Sequence, residues 1–354
     1  MGFGNPAQHD LSGVRRGERI IIKNPAPLIL FSFVTGMLCL IYGVKLLSRG
    51  LEGANTKRLE KFLSLSAGKL IPAFITGIVS TALLQSSTAV TVITVSLVDS
   101  GLMKLTQAVG IIYGANIGTT FTAQFMSLKL TGFGVPVAIA GSAVMLLSKR
   151  NTVRNLGMAF AGLGFMFAGI NILSSGAPYI KESEIACRLF STYGKNPYIG
   201  LFIGTAATML VQSSSATVGL AIVLFNAGLI SFEAAVGLIM GDNIGTCATA
   251  QLASTGAGTA ARRTAWAHTM YNILGAAAVM VFLGPFAELV RSITHLIGQD
   301  RLKLVANTHA IFNILSAAAF LPVTKYYVMF IEWMVPDRPG QRRSLAGCGS
   351  HGLR

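Results

Sequence analysis

Gln85-Ser86-Ser87-Thr88-Ala89 lies in the middle of an apolar stretch, and Gln212-Ser213-Ser214-Ser215-Ala216 repeats it 127 positions later. Ser and Thr hydroxyls donate or accept a hydrogen bond, and each Gln amide offers two donors and an acceptor. Away from water every one of these groups needs a partner. The Asn of a Gly-x-Asn-Ile-Gly-Thr segment follows each Gln by 31 residues, as Gly114–Thr119 and Gly241–Thr246. A second Gln, Gln124 or Gln251, comes eight residues after that Asn. Residues 77–124 and 204–251 align without a gap, and 22 of the 48 positions are identical. The chain contains an internal repeat, and the polar residues are its repeated part.

One reading of such a cluster is a continuous helix whose hydroxyls bond back to carbonyls one turn earlier. Four consecutive polar residues cannot share one helix face, however, which favours a helix broken at the middle of the membrane. The N-termini of half-helices present free N–H groups and positive dipole ends, which suit an anion. Hydroxyls, Asn and unwound carbonyls supply oxygen ligands for a hard cation such as Na⁺. No Lys or Arg stands inside either motif, so a bound anion would need co-bound cations to neutralise it. That pattern predicts cation-coupled uptake. Asp242 stands where the first copy has Ala115; an ionisable group at membrane depth is a candidate cation ligand, the alternative being a helix-end cap. A serine hydrolase would need a base beside its Ser, and neither Gly-x-Ser-x-Gly nor His-Glu-x-x-His occurs.

The elements that must carry these residues read as membrane helices. Apolar residues make up 52% of the chain and charged ones 12%, with a mean hydropathy of +0.62, a membrane-type composition. The expected spans are about Ala26–Leu47, an interrupted Leu70–Val98, Leu105–Leu128, Phe133–Leu147, an interrupted Pro197–Phe225, Phe232–Ala253, Ala265–Leu283 and Leu304–Val323. The arms Leu70–Leu84 and Ala89–Val98 are each too short to cross alone. Gly36, Gly43 and Leu47-Ser48-Arg49-Gly50 recur as Gly162, Gly169 and Leu173-Ser174-Ser175-Gly176, so the repeat includes the first span. The expected units are therefore an N-terminal arm at 1–25, membrane repeats at 26–148 and 149–263, C-terminal helices at 264–335 and a polar tail at 336–354. Thr56–Leu65 reads as a surface-lying amphipathic helix, Lys181–Asn196 as a mixed-charge connector, and Tyr326–Val335 as an apolar piece too short to cross.

The net charge of +15 could suggest nucleic acid. The Lys and Arg residues instead sit in short clusters between apolar spans, which is the positive-inside pattern. On that rule both Arg15–Lys23 and Lys149-Arg150-Arg154 are expected in the cytoplasm, and no signal-peptide core precedes them. Cys39, Cys187, Cys247 and Cys348 have no metal-site spacing and read as small apolar fillers. His268-x-x-x-Asn272 and His309-x-x-x-Asn313 place His and Asn on one helix face, where interhelical hydrogen bonding is favoured over a proton relay.

The paired Gln-Ser-Ser-[Ser/Thr] clusters, each followed by Gly-x-Asn-Ile-Gly-Thr, resemble the type II sodium-dependent phosphate cotransporter (Na/Pi symporter) family over roughly Gly36–Pro322. The resemblance implies an all-α integral membrane protein of two inverted repeats with discontinuous or re-entrant helices and about eight full spans. It implies a multi-pass protein of the plasma (inner) membrane that carries inorganic phosphate with Na⁺, without enzymatic activity, and with no cofactor or metal beyond Na⁺. Lipid is its surroundings, and a homo-oligomer is compatible with the family. Carried over by position, Gln85, Ser86, Ser87, Thr88, Gln212, Ser213, Ser214 and Ser215 would line the phosphate and sodium site, with Asn116, Thr119, Asn243 and Thr246 beside it. Thr88 stands where Ser is more usual in the family and keeps the hydroxyl. Many bacterial members of the family continue into a PhoU-like helical domain, and this chain is expected to be the form without one.

Overall fold

The computed structural model describes residues 26–65, 69–128 and 131–337. Its regular structure is helical, with no strand among the described residues. In chain order the helices are α1 (Ala26–Leu65), α2 (Leu70–Leu84), α3 (Ser87–Asp99), α4 (Leu105–Met126), α5 (Gly134–Leu147), α6 (Asn151–Glu182) and α7 (Glu184–Tyr193). They continue as α8 (Pro197–Val211), α9 (Ser214–Asn226), α10 (Phe232–Ala253), α11 (Thr259–Val281), α12 (Leu283–Leu296) and α13 (Leu304–Met334). The apolar core forms where α9 and α10 meet α1, α6, α12 and α13, around Met166, Phe225, Phe232, Val290 and Phe312.

Small residues decide which helices meet. In lipid, helices gain contact by letting their backbones approach closely, which Gly permits. α1 and α6 pack antiparallel: Gly43 faces Gly162 and Met166, and Gly36 faces Gly169 and Leu173. Gly36 and Gly43 are the repeat equivalents of Gly162 and Gly169, so the contact is reciprocal. α2 runs parallel to α4, with Gly114 against Phe74 and Ile78 and Gly77 against Ile111 and Ala115. α8 runs parallel to α10 in the same register, Gly241 against Leu201 and Thr205, Gly204 against Leu238 and Asp242.

Those parallel pairs fix the path of the broken segments. α3 reverses into α4 at a turn whose Gly101 has φ 73°. α2 and α3 therefore form a hairpin that enters and leaves by one end of the molecule. α8 and α9 do the same, with Gly228 (φ 71°) at the turn. α2 starts where α1 ends, α8 starts one short helix after α6 ends, and α1 and α6 are antiparallel. The two hairpins thus enter from opposite ends.

Three described helices are long and apolar enough to cross a membrane, within 26–54, 151–182 and 301–334, and a fourth if α11 and α12 count together. α12 leaves α11 at 92°. About eight full spans were expected, and this measure does not reach that number. Tyr326–Val335 is not a separate piece; all but its last residue belongs to α13. Lys181–Asn196 is more than a connector, since it folds the amphipathic α7. The backbone of Thr56–Leu65 continues α1, while the side chains behind the surface-helix expectation lie outside the described residues. Residues 1–25 and 338–354 lie outside them too. The expectation that Arg15–Lys23 shares a side with Lys149-Arg150-Arg154 rests on residues outside the described ones. Ile29 and Phe33 of α1 pack near Ala177 and Ile180 of α6, so the start of α1 lies at the opposite end from Lys149-Arg150-Arg154. The start of α1 and the start of α6 therefore lie at opposite ends of this antiparallel pair.

Candidate functional site

Each Gln-Ser-Ser cluster is a true break. Gln85 ends α2 with φ 54° and ψ 31°, and Gln212 ends α8 with φ 52° and ψ 38°. They are the two non-Gly residues with positive φ among the described residues, and the left-handed region costs each roughly 1–2 kcal/mol. Ser86 and Ser213 then turn extended, at φ −146° in both copies, and cap the next helix. Ser86 Oγ accepts from Ala89 N–H at 3.2 Å and Ser213 Oγ from Ala216 N–H at 3.4 Å. The two clusters share one backbone conformation at their breaks.

The amides of the two Gln residues behave differently. Gln85 Nε2 donates to Ala82 O at 2.6 Å, its Oε1 accepts from Thr122 Oγ1 at 2.6 Å, and its carbonyl accepts from Ser48 Oγ at 2.8 Å. It ties α1, α2 and α4 together at the break. Gln212 is exposed, and no side chain or backbone group bonds its amide among the described residues. A ligand can take that amide.

The two breaks meet in one cavity of about 290 Å³, although they enter from opposite ends. Its wall holds Gln85, Ser86, Ser87, Thr88 and Thr119 from the first repeat and Gln212, Ser213, Ser214 and Ser215 from the second. The N-termini of α3 and α9 therefore face a common space. α1 supplies the rest: Val44, Lys45, Ser48, Arg49 and Glu52. Reading the sequence missed these. Their spacing of four and three is the signal that could have found them, because it places Lys45, Arg49 and Glu52 on one helix face. Lys45 and Arg49 reach the cavity from outside the motifs, so an anion bound there would not depend on co-bound cations alone, contrary to the expectation from the motifs. Glu52 interacts with Ser86 and Arg49, so the α1 face brings two positive charges and one negative.

Other residues singled out in the sequence lie behind this wall. Asn116 Nδ2 donates to Asn272 Oδ1 at 2.8 Å, joining α4 to α11. Asn243 Nδ2 donates to Ile239 O at 2.8 Å, and Thr246 Oγ1 to Asp242 O at 2.9 Å, both within α10. None of the three lines the cavity. Gly114 and Gly118, with Gly241 and Gly245, pack α4 and α10 against the hairpins, so the Gly-x-Asn-Ile-Gly-Thr segment holds the breaks in place. Asp242 is fully buried beside them. Thr208 Oγ1 lies 2.7 Å from its Oδ1 and 2.8 Å from Thr217 Oγ1, while its Oδ2 is buried without a hydrogen bond. No group of three or more His, Cys, Asp or Glu gathers among the described residues. Asn272 and Asn313 donate to the carbonyls of His268 and His309, at 3.1 and 2.9 Å, and Asn272 also makes the interhelical bond to Asn116.

The family described as Na⁺/Pi-cotransporter matches residues 39–175 and 183–313. The uncharacterized protein YqeW of Bacillus subtilis is 31% identical over 311 residues, 88% of this chain and 100% of that protein. The putative inorganic phosphate export protein YjbB of Salmonella typhimurium is 28% identical over 88% of this chain, which spans 57% of that longer protein. The human sodium-dependent phosphate transport protein 2B is 33% identical over 114 residues, 29% of this chain and 16% of its own. No solved structure matches the chain.

Proposed function

This chain belongs to the Na⁺/Pi-cotransporter family, and from that premise we propose that it carries inorganic phosphate across the cytoplasmic membrane by symport with Na⁺. The observation that carries the reading is the single cavity into which both broken helices and the α1 cations open. Phosphate would sit between the N-termini of α3 and α9, with the hydroxyls of Ser87, Thr88, Ser214 and Ser215 and the Gln212 amide as donors. Lys45 and Arg49 would balance part of its charge, and Na⁺ the remainder. Asp242 would hold one Na⁺ through its open Oδ2, with Thr208 fixing the carboxylate.

The reciprocal antiparallel contact of α1 with α6 supports inverted repeats. Two equivalent helices crossing antiparallel are related by an axis perpendicular to both, which in a membrane lies in its plane. On this arrangement α1, α4, α6, α10, α11 and α13 each run toward the opposite end, the shorter α5 returns the chain between α4 and α6, and the two hairpins are re-entrant. A second reading, export of phosphate, is favoured by the name of the Salmonella relative.

Uptake of radiolabelled phosphate into proteoliposomes tests the reading, with an inward Na⁺ gradient, an inward K⁺ gradient or none. Accumulation with Na⁺ alone is expected. Equal flux in all three arms, or flux of sulfate but not phosphate, would sink it, and efflux from loaded vesicles measures the export direction. Asp242→Asn is expected to reduce Na⁺ dependence and the charge moved per cycle more than phosphate affinity; unchanged Na⁺ activation would leave Asp242 a structural residue.

A further inference from the structure

The end of the molecule holding the α6–α7 junction has a second built feature. Lys181 at the end of α6, Lys195 between α7 and α8, and Arg301 ahead of α13 line one depression of about 420 Å³. None of the three forms an ion pair with a carboxylate among the described residues. The Arg301 guanidinium carbon lies 4.7 Å from the Phe225 ring centroid. Ser231 N–H donates to Gly194 O at 2.8 Å, which pins the loop carrying Lys195. The α3–α4 turn carries Asp99 where the second repeat has Asn226, and Asp99 Oδ1 accepts from Gly258 N–H at 2.9 Å.

Phe190 and Ile230 line this depression and also the head of an apolar groove of about 400 Å³, which continues along Ile203, Leu220 and Leu224. Charge and groove are thus continuous. The level in the membrane follows from α7. It buries no residue, and its apolar edge is uncovered, with Ile185 77% and Leu189 53% exposed. An amphipathic helix left in that state lies in the bilayer interface. Exposed Tyr193 and Tyr198 stand at the same end, where interfacial aromatics belong. The cations are therefore at headgroup depth and the groove at acyl-chain depth.

We propose that the depression and groove together bind one anionic phospholipid. Its phosphate rests on Lys181, Lys195 and Arg301, and one acyl chain runs along Ile203, Leu220 and Leu224. A zwitterionic lipid fills the groove equally well but brings its own cation against three others, so the headgroup charge sets the preference. The inference rests on the membrane placement of the chain and is independent of what the central cavity carries.

Native mass spectrometry of the full chain, titrated with phosphatidylglycerol or phosphatidylcholine of matched chains, reads the site directly. The parent is expected to retain one phosphatidylglycerol in preference to phosphatidylcholine. Each interfacial Lys or Arg contributes about fivefold to anionic-lipid affinity, so K181A/K195A is expected to weaken that lipid roughly thirtyfold. L220W, which fills the groove, is expected to weaken both lipids. K149A/R150A, at the other end, is expected to change nothing. Equal retention of the two lipids by the parent, or unchanged phosphatidylglycerol binding by K181A/K195A, would overturn the proposal. Displacement of the lipid by millimolar inorganic phosphate would overturn it too, because the site would then read the phosphate alone.

Discussion

Gln85 and Gln212 share their sequence neighbours and their left-handed backbone, yet one amide is consumed by the protein and the other is open. Their substitutions should therefore separate. Gln85→Ala removes two side-chain bonds, each worth about 0.5–1.5 kcal/mol, and is expected to lower the thermal unfolding midpoint. Gln212→Ala removes a donor to an anion, worth roughly 1.5–3 kcal/mol, and is expected to weaken phosphate tenfold to a hundredfold with little change in that midpoint. Thermal scans beside phosphate titrations decide it; the reverse pattern would exchange the two roles. Arg49→Met is expected to weaken phosphate by a similar factor, and to weaken it less at low pH, where the anion carries less charge. Equal affinity for parent and variant at both pH values would remove Arg49 from the site. The breaks themselves were legible in the sequence, because four consecutive polar residues in an apolar run cannot share one helix face and so favour a break over a continuous helix. Lys45, Arg49 and Glu52 were not, because their nearness to Ser86 depends on how α1 crosses the hairpins, and local pattern does not encode that.

At the scale of elements, the segment following each motif acts through its glycines. A Cβ on Gly114 would press into the carbonyl of Phe74, and α2 would have to move away from α4, carrying the break with it. Gly114→Ala is therefore expected to lose the folded, monodisperse protein in detergent, whereas Gly132→Ala, with open space around its Cβ position, should be neutral. A well-folded Gly114→Ala protein with normal phosphate binding would show that α2 and α4 need not touch there. Helices read correctly where apolar pattern and length agreed, as in α4 and α10. α12 was missed because Leu283–Leu296 follows α11 after a single residue; only the 92° bend separates them. α7 was hidden by its charges, which suggest a connector until its apolar edge at Ile185, Leu189 and Tyr193 is placed on one side.

The whole molecule is arranged by the reciprocal seam of α1 on α6, which sets the ends from which the two hairpins enter. The seam also determines which loops share a side, and here summing basic residues misleads. Lys149-Arg150-Arg154 flank the start of α6, Lys181 and Lys195 lie beyond its other end, and each group alone would qualify as cytoplasmic. Only the antiparallel packing says that they are apart. α6 spans 32 residues, about 48 Å at 1.5 Å per residue, enough to separate its ends across a bilayer. Exposed Cys187 in α7 marks one end, and a cysteine introduced by Thr152→Cys marks the other. In whole cells an impermeant maleimide is expected to label one of the two and not its counterpart, with each tested in a background lacking the remaining cysteines. In inside-out vesicles the labelling should exchange. Labelling of both sites from the same face would mean that α6 does not cross, and inverted repeats built on the α1–α6 axis would fall with it.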